Sequence, residues 1–160
     1  MRWIHIDKIV ELREGKYCRA VKNVSLGEDY LADHFPTYPI MPESLIIEGM
    51  AQTGGILVGH AHQFKEKVIL AKIQKAVFHR SVKPGDQMIL EAHAEEIRKE
   101  GSRISGKVWA DKELVAEISL MYINLQKGQA LVSDNFVFTW EFLSLLKLHE
   151  VTPLETLLPK

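Results

Sequence analysis

His34 and Glu48 are the two residues of this chain whose types and spacing suit proton transfer. They stand 14 positions apart (48 − 34 = 14), with Pro36, Pro39 and Pro42 between them. Each proline fixes its own φ and removes a donor, so together they hold residues 35–42 in a rigid, extended loop. Pro42 suits the first turn of a helix, and Glu43 places a negative charge at the positive end of its dipole. Ser44, Glu48 and Gln52 recur at i, i+4 and i+8, which lines them along one side of that helix. The other sides are apolar, with Leu45, Ile46, Ile47, Met50, Ala51, Ile56, Leu57 and Val58. A carboxyl group set in such a wall is costly to ionise, which suits Glu48 to act as a general acid. The loop can return the His34 imidazole over the helix start, where open N–H groups can hold a developing oxyanion. The residues alone leave two plainer readings open: an ion-paired Glu48 at a subunit surface, and a structural His34.

The elements that must position this pair follow from the same stretch. A helix apolar on almost every side is a buried helix, expected here over about residues 42–60. Gly49, Gly54, Gly55 and Gly59 weaken it by about 1 kcal/mol each relative to alanine. They allow close approach, so a sheet or a second helix is expected to bring its backbone against them. Glu48, Gln52, Thr53 and the glycines break the run of about 20 apolar residues that a membrane span needs. The run Trp3–Leu12 carries Ile4, Ile6, Ile9, Val10 and Leu12, its residues 4–7 alternating as a half-buried strand does, and 17–24 repeat the pattern after a turn at Glu14-Gly15, giving a hairpin. Residues 26–31 read as an irregular connection. Further strands are expected over 68–82, 87–97, 103–110 and 114–125, with turns at Pro84-Gly85-Asp86, Lys99-Glu100-Gly101 and Asp111-Lys112. Long strands joined by tight turns, plus one buried helix, predict an α+β fold with an antiparallel sheet wrapped round that helix.

The run His34-Phe35-Pro36-x-x-Pro39-x-x-Pro42, followed by Leu45-x-x-Glu48-x-Met50-Ala51-Gln52, resembles the active-site signature of bacterial 3-hydroxyacyl-acyl-carrier-protein dehydratases of the hotdog fold. The segment from Cys18 to Ser25 is similar to that family's second strand, and Lys83-Pro84-Gly85-Asp86-Gln87-Met88 to its following turn and strand. The likeness covers about residues 4–125. Thr37 and Glu43 stand where the family usually has glycine, and a backbone N–H survives at both. The resemblance implies that His34 takes a proton from C2 of a 3-hydroxyacyl thioester. It implies that Glu48 donates to the leaving C3 hydroxyl, and that the amide of Glu43 or Ser44 holds the thioester oxygen. Gln52 would orient Glu48, and Phe35 and Pro36 would border the substrate. It further implies an acyl carrier protein as partner, no cofactor, and a homodimer with each site shared between subunits, a trimer of dimers being the further assembly to test. The runner-up activities are a hotdog thioesterase and a non-catalytic acyl- or carrier-binding subunit.

Composition narrows the rest. The chain has 160 residues, 46% hydrophobic and 26% charged, with a net charge of −1. One globular body is expected, and no global field draws it to nucleic acid or to a membrane surface. Cys18 is the single cysteine and sits in a strand pattern, which suggests a small buried residue. With one cysteine and no signal peptide to be read, the expected compartment is the cytoplasm. His60, His62, His79 and His93 lack ligand spacing and acidic company, so no metal is expected. Lys72, Lys75, His79, Arg80 and Lys83 form a basic cluster that could meet an acidic carrier. Residues 1–126 read as the hotdog domain and 127–160 as an extension. Lys127-Gly128-Gln129 marks a break, and Phe136, Phe138, Trp140, Phe142, Leu143, Leu145, Leu146 and Leu148 supply an apolar helix over about 139–149, capped by Thr139. That helix would pack on a sheet edge or a partner subunit; a lid on the acyl tunnel and a membrane-surface anchor are the sharper alternatives.

Overall fold

The structure is a computed structural model that describes residues 3–125, 138–153 and 157. The boundary at 126–127, the break at Lys127-Gly128-Gln129, and Phe136 lie outside the described residues. Six strands form one antiparallel sheet: β1 (Lys8–Arg13), β2 (Tyr17–Asn23), β3 (Lys67–Phe78), β4 (Gln87–Ile97), β5 (Gly101–Ala110) and β6 (Glu113–Leu125). Their spatial order is β1-β2-β4-β5-β6-β3, so β1 and β3 are the two edges among the described residues. Helix α1 (Glu43–Ala61) lies on the concave face, with Ile46, Met50, Ile56, Leu57 and Val58 fully buried.

Strand alternation supplies the wall that receives the helix. Met88, Leu90 and Ala92 of β4 point inward, as do Ile104 and Val108 of β5 and Ile118 and Leu120 of β6. The register pairs Leu90 with Val108 and Ile104 with Leu120, so these side chains form layers under α1. This is the hotdog arrangement. Where strands turn back, positive φ falls on Gly15, Gly85, Asp111 and Lys112, as two-residue and glycine turns require. No helix among the described residues is long and apolar enough to cross a membrane.

The start of the chain differs from the strand expected over residues 4–7. It runs irregularly across the helix, with one backbone donor bonded to a side chain of α1 before the chain meets β2. The His5 N–H donates to the Gln52 side chain at 2.9 Å, and the Asp7 N–H to the Val21 carbonyl at 2.7 Å. The helix glycines also act in two ways. At Gly49 a backbone does come close: a Cβ there would lie 3.0 Å from the His5 carbonyl oxygen. At Gly54 the neighbour is a side chain, and a Cβ would meet the Tyr122 hydroxyl at 2.6 Å.

The second helix, α2, covers Trp140–Leu145, shorter than the expected span. Thr139 caps it, its hydroxyl accepting from the Phe142 N–H at 3.2 Å. Lys147 turns left-handed at φ 57° and ends it, and a 3-10 turn follows at Leu148–Glu150. Leu143, Leu146 and Leu148 are buried, and the Leu146 carbonyl accepts from the Ile9 N–H on the β1 edge at 3.0 Å.

Candidate active site

The loop carrying His34 closes on itself. The Phe35 N–H donates to the Tyr38 carbonyl at 3.2 Å, the Tyr38 N–H to the Phe35 carbonyl at 3.0 Å, and the Ile40 N–H to the His34 carbonyl at 2.9 Å. The Met41 N–H then donates to the Val82 carbonyl at 2.8 Å and ties the loop to the body. The prolines fit because none of these bonds asks for their missing N–H. The His34 ring stacks on Phe35, with centroids 4.4 Å apart, and its Nδ1 lies 2.9 Å from the Ile40 carbonyl. A carbonyl only accepts, so Nδ1 carries the hydrogen and Nε2 keeps the lone pair of a base. Phe35 and Pro36 are exposed beside it.

Glu48 is held differently. It is half-buried on α1, and its Oε1 accepts from Gln52 Nε2 at 2.9 Å. The same Gln52 nitrogen donates to the Trp3 carbonyl at 2.7 Å, while its oxygen accepts from the His5 N–H. Both amide ends have partners of the right kind, which fixes the amide's orientation and aims the carboxyl. Glu48 faces an apolar cavity of about 470 Å³. Helix residues Ala51, Gln52 and Gly55 form one wall, and Val68 and Leu70 of β3 another. Trp3 and Ile4, Tyr122, and the tail residues Phe138 and Phe142 complete it. Tyr122 donates its hydroxyl hydrogen to the Ala51 carbonyl at 2.8 Å; burial, and then the charge of Glu48, raise its pKa. Burial pushes His5 below the usual imidazole range, outweighing the upward pull of Glu48.

At the helix start the first bonds run from the Leu45 and Ile46 N–H groups to the Pro42 carbonyl. The N–H groups of Glu43 and Ser44 precede them and sit at the exposed, positive end of α1. Neither Thr37 nor Glu43 has a positive φ, so the backbone at both is open to residues other than glycine. The spacing of Ser44, Glu48 and Gln52 does put them on one side of one helix. His34 is not part of the wall of the cavity that Glu48 enters.

Sequence reading did not find Trp3, Ile4, Val68, Leu70 or Tyr122 as cavity residues. They come from three distant segments, and only the aromatic cluster of the tail gave any signal of a further wall. The basic cluster is also divided. Arg80 is engaged by Asp86 at 3.0 Å and Glu113 at 3.1 Å, and His79 lies 3.5 Å from Glu117. Lys83 stands 4.7 Å over the Tyr38 ring, on the His34 loop. Cys18 is fully buried, and burial pushes its thiol up.

Comparison with known proteins places the chain among relatives of one family. The FabA-like domain model matches residues 3–119. The chain is 40% identical over 119 residues to a 3-hydroxyacyl-acyl-carrier-protein dehydratase FabZ of Caldanaerobacter subterraneus subsp. tengcongensis, covering 74% of this chain and 84% of that protein. It is 43% identical over 120 residues to the protein of the same description from Oceanobacillus iheyensis, covering 73% and 84%. Among solved structures, the dehydratase heterocomplex of Xenorhabdus doucetiae superposes with a TM-score of 0.64 at 14% identity, covering 79% of this chain and 86% of that one. A Streptococcus mutans protein bound to acetyl CoA superposes at 0.62 with 12% identity, covering 74% and 88%; at these identities the two structures speak for the fold alone.

Proposed function

The chain belongs to the FabA-like domain family, and on that premise we propose that it removes water from a 3-hydroxyacyl thioester on acyl carrier protein. The product is the trans-2-enoyl thioester, as in fatty acid biosynthesis. One observation carries the reading: the Glu48 carboxyl, aimed by Gln52, enters an apolar cavity of a size suited to an acyl chain. His34 accepts the C2 proton on Nε2, since its Nδ1–H is committed to Ile40. Glu48 gives a proton to the C3 hydroxyl, which leaves as water while the C2–C3 double bond forms. The Glu43 and Ser44 amides at the helix start hold the thioester oxygen as charge develops on it. Phe35 and Pro36 border the entrance. A proton next to a thioester carbonyl and a poor leaving group need acid–base help, so the proposal contains no cofactor.

His34 is apart from the Glu48 cavity, and this supports a site completed by two subunits. Edge strand β3 is the surface for such a homodimer, with Lys72, Ile73, Gln74 and Lys75 exposed at its middle. An edge of this length, unpaired among the described residues, is a template for a second strand. Lys83, over Tyr38, is placed beside the loop to meet an acidic carrier in the cytoplasm. The test is to supply a 3-hydroxyacyl thioester and follow enoyl absorbance and free thiol together. Enoyl formation is expected. Thiol release without it points to a thioesterase, and neither signal points to an acyl-binding subunit. Light scattering on the eluted protein, expected at twice the chain mass or a multiple of that, tests the assembly.

A further inference from the structure

Phe138 and Phe142 lie beyond residues 3–119, the segment shared with the family, yet both line the Glu48 cavity. Phe138 fills a groove that the helix glycines leave open. A Cβ at Gly59 would lie 2.8 Å from Phe138 Cε2, and one at Gly55 would lie 3.9 Å from its Cζ. Phe64 meets the ring edge-on, with centroids 5.2 Å apart. Glu48, Gln52, Gly55 and Gly59 follow one another at helical spacing along one side of α1. Gly55 lies about 10 Å past Glu48 along the axis, and Gly59 about 16 Å, at the helical rise per residue. An acyl chain that starts at Glu48 and runs down this side therefore meets the Phe138 ring. The segment that follows Phe138 is fastened at two points: the Leu146 carbonyl bonds to β1, and the Thr152 hydroxyl lies 3.0 Å from His60 Nε2 on α1.

We propose that Phe138, with Phe142 on the side wall, is the floor of the acyl pocket and sets the longest acyl chain the site accepts. The identity of the occupant rests on the dehydratase reading above. The tail thus gives this chain a length limit built from residues outside the family's common body. Two measurements on wild type, Phe138→Ala and Phe138→Trp test it. One is kcat/KM for 3-hydroxyacyl pantetheine thioesters from butanoyl to hexadecanoyl. The other is calorimetric binding of the unreactive saturated thioesters of the same lengths. In Phe138→Ala the ratio of long-chain to short-chain kcat/KM is expected to rise about tenfold or more, the scale of a methylene in an apolar pocket. Binding should shift toward long chains as well, and Phe138→Trp should move both profiles toward short chains. If Phe138→Ala does not fold, Phe138→Leu and Phe138→Trp decide the matter by the same opposed shifts. Turnover with an unmoved length profile in the folded variants overturns the floor and leaves the dehydratase reading standing. Shifted binding profiles without turnover in any protein, wild type included, support the floor and overturn the dehydratase reading.

Discussion

The loop that carries His34 and the helix side that carries Glu48 are built in opposite ways. The loop satisfies most of its own backbone, from Phe35, Tyr38 and Ile40 back to residues within it, and leaves Phe35 and Tyr38 about half exposed at 51% and 53%. Glu48 depends on groups far away in sequence: Gln52 holds it, and Gln52 is itself held by Trp3 and His5. His34, the proposed base, therefore sits on a locally specified platform presented outward. Glu48, the proposed acid, sits in a network that exists only when the chain's start has docked on the helix. A perturbation elsewhere in the body should reach Glu48 before it reaches His34.

The largest expected effect comes from removing the acid alone. Glu48→Gln keeps the shape and the Gln52 contact, and dehydration should fall by at least about a hundredfold, the usual share of a general acid. Near-full activity in the enoyl absorbance assay would remove Glu48 from its role. The next effect asks whether the two regions meet across subunits. His34→Ala and Glu48→Ala proteins should each be nearly inactive alone. After subunit exchange about half the dimers are hybrids, each with one intact site, so the mixture should regain roughly a quarter of wild-type activity. No recovery, with hybrids confirmed by mass spectrometry, would put both groups in one chain's site.

A smaller effect contrasts the two supports. Gln52→Leu strips donors or acceptors from Glu48, Trp3 and His5, and leaving a buried polar group unpaired costs about 1–3 kcal/mol. The melting temperature should fall by about 3–9 °C on the scale for a chain of this length, with kcat falling too. Phe35→Ala, on the exposed loop, should change stability by no more than about 0.5 kcal/mol. Equal losses in the two variants would erase the contrast.

The smallest effect is in pH. Burial lowers the pKa of His5 and of His60, the latter against a weaker upward pull from Glu14. In the unfolded chain both imidazoles take a proton near pH 6.5, while the folded protein takes it only at lower pH. Between those values the unfolded state binds more protons, so stability should fall as pH drops through about 6.5 and level off below the folded pKa. Denaturant midpoints across that range should show a shallower fall in His60→Gln; an unchanged slope would remove His60 as a contributor.

Much of helix α1 could be read from residue order. The apolar run with Ser44, Glu48 and Gln52 at one spacing gives α1, its polar stripe and the candidate acid. The prolines give the loop, and the alternations around Leu90, Ile104 and Leu120 give the inward face of the sheet. Residues 4–7 misled, because alternation says which side chains are buried and is silent on where the backbone bonds. There the His5 N–H bonds to the Gln52 side chain on α1, and only the Asp7 N–H reaches a strand, at Val21 of β2.

The sequence by itself determined the local geometry of the pair, because helical period and proline stereochemistry act over a few residues. Only the tertiary structure decided what surrounds it. Trp3 near the chain's start, Tyr122 on β6 and Phe138 in the tail converge on Glu48 because the sheet brings these distant segments onto one side of α1. No local period encodes such a meeting: it is set by which faces can bury apolar area together, and that is a property of the whole chain.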